Sequence, residues 1–135
     1  NPSSDITFLP LSELLGTCDI ISINASYDIN NKSLISFEEV SQMQTGVFII
    51  NTARGELLNE EAVANGIKEK HIAGLGVDVL TNEHEKEFLK HSPLYKAMKK
   101  NYNIIITPHI GGCTNEAMIY TENIIAEYFK ESFIK

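Results

Sequence analysis

The sequence predicts an α/β fold in which a parallel sheet carries helices on both faces. Three observations point there. Apolar runs of strand length alternate with helical patterns, as in successive βαβ units. Four of the runs are short and mostly rich in β-branched residues: Asp19 to Asn24, Val47 to Asn51, Ile72 to Val79 and Asn103 to Thr107. They are apolar at consecutive positions, which suits strands covered on both sides.

Taken in order, Thr7 to Leu9 reads as a minor strand, and Ser12 as the cap of a short turn through Leu15. After the strand at Asp19 to Asn24, Ser36-Phe37-Glu38-Glu39 has the pattern of a capping box, and Gly46 is placed to close that helix. After Val47 to Asn51, Asn59 caps a helix whose first turn holds Glu60 and Glu61, charges that suit the positive end of the macrodipole. Glu85 to Lys100 is polar and contains Ser92-Pro93, which predicts a loop and a short helix around Leu94 to Lys99. The last helix begins near Thr114 and sets Ala117, Thr121, Ile124, Ile125 and Tyr128 on one face. No repeat, low-complexity segment or linker divides the chain.

Composition narrows the function classes. The 135 residues suffice for one domain with a modest core. A net charge of −7, with no basic cluster, argues against nucleic acid and anionic membranes as partners. The longest apolar runs are too short to span a bilayer, and no signal-peptide pattern opens the chain. Cys18 and Cys113 make neither a disulfide framework nor a metal-ligand spacing, so a reduced cytoplasmic setting is expected and no metal site is assigned. The chain opens Asn1-Pro2 without an initiator methionine and reads as a fragment.

In open α/β sheets ligands gather at the carboxyl ends of the strands. Here those ends lead into Asn24-Ala25-Ser26, Thr52-Ala53-Arg54-Gly55, Asp78 with Glu83, and Thr107-Pro108-His109-Ile110-Gly111-Gly112. Arg54 offers a planar fork that can hold a carboxylate bidentately. His109 can exchange a proton with a hydroxyl or carbonyl oxygen near neutral pH. Glu83 can orient that imidazole, although Glu85 and Glu87 lie close by. Asp78 can accept a hydrogen bond from an amide such as a nicotinamide carboxamide, and Gly111 and Gly112 allow close backbone approach. An arginine, a carboxylate and a histidine so placed suit hydride transfer on a small carboxylate substrate. Taken singly, each has a plainer reading: a surface arginine, an exposed acidic loop, a structural histidine, a turn-capping aspartate. His71, His84 and His91 are read as solvent-facing. Cys113 is read as inert, and Tyr102, Tyr120, Tyr128 and Phe129 as core or interface.

The stretch Asn51-Thr52-Ala53-Arg54-Gly55-Glu56-Leu57-Leu58-Asn59-Glu60-Glu61-Ala62 resembles the arginine signature of the D-isomer-specific 2-hydroxyacid dehydrogenases. Gly76 to Glu83 is similar to that family's next block, and Thr107 to Gly112, followed by Thr114, Glu116 and Ala117, to its histidine block. Leu14-Leu15 through Ser22 is similar to the approach to its cofactor loop. The resemblance implies a partial Rossmann-type, doubly wound sheet that lacks its first βαβ unit and the substrate domain. Residues 1–113 would form the C-terminal part of the NAD(P)-binding domain, and 114–135 a crossover helix leading to the missing domain.

It further implies NAD as cofactor, with NADP left open, and interconversion of a 2-oxo acid and a D-2-hydroxy acid. Arg54 would bind the substrate carboxylate, His109 act as acid/base and Glu83 partner it. Asn24, Ala25, Ser26, Thr52, Ala53, Arg54, Asp78, His109 and Gly111 would line the cofactor. A homodimer is implied for the intact protein. The chain departs from the pattern at Asn24-Ala25-Ser26, where His-x-Pro is usual, and at His84, where proline is usual. It holds no G-x-G-x-x-G fingerprint, and Asn1 stands where an acid usually reads the adenosine ribose. A nucleotide-sensing or co-repressor-like module on the same fold, and an inactive truncated product, are the competing readings.

Overall fold

In a computed structural model, which describes residues 6–28 and 33–133, four strands form one parallel sheet in the order β1-β2-β3-β4. Asn1 and Pro2 lie outside the described residues. The elements are α1 (Leu11–Thr17), β1 (Ile20–Ile23), α2 (Phe37–Gln42), β2 (Val47–Asn51), a 3-10 turn (Gly55–Leu57) and α3 (Glu60–Lys68). They continue with β3 (Ile72–Val77), α4 (Phe88–His91), α5 (Pro93–Met98), β4 (Ile104–Ile106) and α6 (Asn115–Phe133). Each strand joins its neighbour through a crossover bearing helix, and right-handed crossovers in sequential order set those helices on a single face.

Burial follows this. Along β2, Val47, Ile49 and Asn51 are buried while Phe48 and Ile50 are exposed. The core lies between that covered face and the helices, with Leu15, Ile35, Val63, Ile72 and Leu94 at its centre. The expected cover on both faces is therefore absent among the described residues. Ile20, Phe48, Ile50 and Ile105 stay open on the second face, where the register runs Ile20 to Phe48 and, through Gly76, Ile50 to Ile105. Consecutive apolar positions are compatible with two-sided cover but do not by themselves supply the second layer.

Local chemistry explains most element boundaries. The capping box forms, with Glu39 accepting from the backbone N–H of Ser36 at 2.8 Å and from its hydroxyl. The serine hydroxyl bond is the main reason that the Glu39 carboxyl lies below its usual range. Asn59 Oδ1 accepts the Ala62 N–H at 3.0 Å and opens α3. Ser92 and Thr114 do the same for α5 and α6, accepting from Tyr95 at 3.1 Å and Ala117 at 3.2 Å.

Several expectations give way. Thr7 to Leu9 forms no strand and is exposed: it pairs with none of the four strands. α1 starts after Pro10, so Ser12 lies inside it rather than capping it. α2 stops at Gln42 with Met43 extended, and Gly46, at φ 93°, serves the turn into β2 instead. β3 ends at Val77, so Asp78 and Val79 belong to the loop. α4 is an additional turn of helix in the polar stretch before α5. The predicted face of α6 buries nothing: Ile125 and Tyr128 are 62% and 69% exposed. Tyr120 and Phe129 are likewise exposed rather than core, whereas Tyr102 packs against the core's edge. No described helix is long and apolar enough to cross a membrane.

Candidate functional site

Parallel pairing brings all four strand ends to one edge of the sheet, so the segments after β1, β2, β3 and β4 are neighbours. Asn24, Ala25 and Ser26 are exposed there, and the Asn24 amide turns back to the Ser22 hydroxyl at 3.1 Å. A cleft of about 370 Å³ runs between Ala25, Ser26 and Tyr27 on one side and Ala53 and Arg54 on the other.

The Arg54 loop is shaped from beneath. Asn51 is fully buried, its Oδ1 accepting the Ala53 N–H at 3.0 Å and its Nδ2 donating to the Arg54 carbonyl at 2.8 Å. Gly55 then passes hard against the next loop. A Cβ at Gly55 would lie 2.1 Å from the Leu80 carbonyl carbon, so only glycine fits. Arg54 itself is exposed; its Nη1 donates to the Ala53 carbonyl at 2.6 Å, and it forms no ion pair among the described residues. The guanidinium keeps donors available for an incoming anion.

The histidine loop is held by Asp78. One carboxylate oxygen accepts from the Thr107 hydroxyl and from the Ile110 N–H at 3.0 Å; the other accepts the Gly111 N–H at 2.7 Å. Burial alone would push this carboxyl up, but Thr107, Gly111, Ile110 and the neighbouring His109 together hold it below the usual aspartate range. A Cβ at Gly111 would come within 2.9 Å of Asp78 Oδ2, which ties this glycine to the clamp. Between the clamped residues His109 adopts φ 55°, a left-handed conformation that costs a non-glycine residue about 1–2 kcal/mol.

His109 Nδ1 meets Glu83 Oε2 at 2.6 Å, and Glu83 Oε1 accepts the Leu80 N–H at 2.6 Å. Of the three nearby acids, Glu83 alone bonds the imidazole; Glu87 pairs with Lys90. The Glu83 bond occupies Nδ1 and leaves Nε2 as the ring's outward nitrogen. The pair forms one wall of a largely apolar cleft of about 450 Å³, lined also by Leu80, Phe88, Tyr95 and Met98. Arg54 does not line this cleft, and no hydrogen bond joins it to Glu83 or His109. The site thus comes as two clusters along one edge.

Sequence reading gave no positional role to Asn51 or Glu60. Glu60 is buried and spans elements, accepting the Thr81 N–H at 2.9 Å and the Ser92 hydroxyl, which anchors the Glu83 loop to α3 and α5. The signal for Asn51 was a polar residue closing an apolar run. For Glu60 there was none, since a first-turn acid is ordinarily solvated. His71 is also not simply solvent-facing: its ring bridges the Val40 carbonyl at 2.9 Å and the Thr45 hydroxyl at 3.2 Å, far from the site.

Comparison with known proteins extends this geometry. Residues 2–111 match the profile described as D-isomer specific 2-hydroxyacid dehydrogenase, NAD binding domain. A putative 2-hydroxyacid dehydrogenase of Haemophilus influenzae is 36% identical over 111 residues, covering 82% of this chain and 34% of its own. An aromatic 2-oxoacid reductase of Clostridium sporogenes is 37% identical over 120 residues, covering 84% and 36%. The D-lactate dehydrogenase of Aquifex aeolicus, solved with NAD and lactic acid, superposes with a TM-score of 0.72 at 28% identity, over 93% of this chain and 41% of that one. The chain therefore spans about a third of the length of the curated relatives it matches.

Proposed function

The chain belongs to the D-isomer-specific 2-hydroxyacid dehydrogenases, within their NAD-binding domain, and from that premise we propose that it serves the interconversion of a 2-oxo acid and a D-2-hydroxy acid. NAD is the cofactor of this domain. The residues present fit its nicotinamide end. Asp78 has used three of roughly four lone-pair positions, which leaves one for a carboxamide N–H. A Cβ at Gly112 would meet nothing within 4 Å, so the loop offers open approach beside it. Asn24 to Ser26 and Thr52 to Arg54 would flank the cofactor across the cleft they share, with His109 and Gly111 beside its reacting end.

Bound there, NAD supplies the two-electron chemistry. Arg54 binds the substrate carboxylate through its fork and fixes the position of C2. In reduction His109 gives a proton from Nε2 to the forming alkoxide; in oxidation it takes the hydroxyl proton at the same atom. Glu83 holds Nδ1–H, fixing the ring's orientation and stabilising the imidazolium. Reduction needs the protonated ring and oxidation the neutral one, so the two pH profiles run in opposite senses.

The observation that carries this reading is the Glu83–His109 pair, on a loop clamped by Asp78, at the same sheet edge as an arginine that forms no ion pair among the described residues. Residues 114–135 are proposed to cross from residues 1–113 to a substrate domain, which α6, burying nothing of its own, suits. A homodimer and a reducing cytoplasmic location, which suits the free Cys18 and Cys113, complete the proposal. In the full-length protein, NADH oxidation over a panel of 2-oxo acids should fall about 10²–10⁴-fold in His109→Gln and by orders of magnitude in kcat/KM in Arg54→Ala. Near-wild-type turnover in either variant removes the assigned role. Cofactor binding without turnover on any acid would favour a sensing module instead.

A further inference from the structure

On the covered face of β2, Val47 and Ile49 are aliphatic, and the third inward position is Asn51, a fully buried amide. An apolar residue would fill that space, so what sets the amide apart is its bonding. Both of its functional atoms are used, and both on one loop: Oδ1 takes the Ala53 N–H and Nδ2 gives to the Arg54 carbonyl. Its own backbone carbonyl accepts the Asp78 N–H at 3.0 Å. One residue therefore holds the Ala53–Arg54 pair at both ends, at the Ala53 N–H and the Arg54 carbonyl, and ties it to the strand end that carries the clamp of the His109 loop.

We propose that Asn51 is a positioning residue for Arg54. It sets the direction in which the guanidinium leaves the loop and the spacing between Arg54 and the Asp78–His109 cluster. This rests on the reading of Arg54 as the carboxylate-binding group. The requirement is specific to an amide, which offers a donor and an acceptor from one planar group. Ionised, aspartate keeps the shape and the acceptor for Ala53, but turns a second acceptor on the Arg54 carbonyl, so the loop must move. Serine is too short to bond both sides.

The test uses the full-length protein in a cycle of wild type, N51D, R54A and the double variant. The readouts are KM for a 2-oxo acid, NADH affinity, the pH profile of kcat, and turnover of a 2-oxo amide that lacks the carboxylate. The expected result is a KM at least about tenfold higher in N51D, with a clearly smaller change in NADH affinity and the pH profile unmoved. There should be no further rise when N51D is added to R54A, and the penalty should vanish on the amide. If R54A raises KM and N51D does not, Asn51 does not position Arg54. The proposal is also overturned if N51D weakens acid and NADH equally and adds to R54A. If R54A leaves KM unchanged, it is the carboxylate reading that fails. Should N51D not accumulate as folded protein, N51S goes through the same cycle and decides the question.

Discussion

Asp78 gathers a hydroxyl and two backbone N–H groups onto one carboxylate, and all three donors belong to the His109 loop itself. Replacing Asp78 by Asn turns an amide N–H toward at least one donor and removes the charge. Charge-assisted hydrogen bonds contribute roughly 1.5–3 kcal/mol, and a loss of that order in urea unfolding is expected. The pH dependence follows from the lowered carboxyl. Its contribution is complete above the ordinary aspartate value of 3.8 and is lost as pH falls through the depressed folded value. Acid titration of stability should lose that component in Asp78→Asn, and an unchanged titration would show that the clamp contributes nothing. Gly55→Ala tests the contact between the arginine and acid loops. A Cβ 2.1 Å from backbone carbon has no flexible neighbour to yield, and about 3 kcal/mol of destabilisation is expected in the denaturation midpoint.

At the scale of elements, caps and packing make separable contributions. Asn59→Ala removes the acceptor for the Ala62 N–H and should cost about 1 kcal/mol, read as a lower thermal midpoint. α6 differs in kind, for it has a capping threonine and internal hydrogen bonds but buries no side chain. Most helical stability in proteins comes from packing an apolar face, which this helix lacks among the described residues. In the 135-residue chain, amide hydrogens of α6 should exchange far faster than those of β2 and β3, and equal protection would place a hidden partner on this helix. The sequence made β2, α3 and α5 legible because their signals are local: β-branched runs, an asparagine cap, Ser92-Pro93. It was misleading at Thr7 to Leu9 and at Gly46, where strand pairing and chain direction, not propensity, choose the outcome.

At the scale of the molecule, the sheet has one covered face and, among the described residues, one open face. Ile20, at 61%, and Ile105, at 67%, with Phe48 and Ile50 between them, form an apolar surface next to the unpaired edge of β4. The 135-residue chain should therefore bind a hydrophobic dye and self-associate. Ile105→Lys should lessen both while changing stability by no more than about 0.5 kcal/mol, as expected for an exposed position. Sedimentation that shows a monodisperse monomer before the substitution would contradict this. The sequence by itself determined the parallel α/β frame, the edge at which Arg54, Glu83 and His109 emerge, and the family motifs that carry them. Those follow from local periodicity and from residue types at fixed spacing. Tertiary structure alone decided that Glu83 rather than Glu85 or Glu87 meets His109, and that Asn51 and Glu60 bind the loops from beneath. It also decided that His109 is held left-handed, and that one face of the sheet stays open. Each of these depends on which distant segments meet, and the energy of a buried hydrogen bond or a backbone contact is set by that meeting rather than by either residue's own preference.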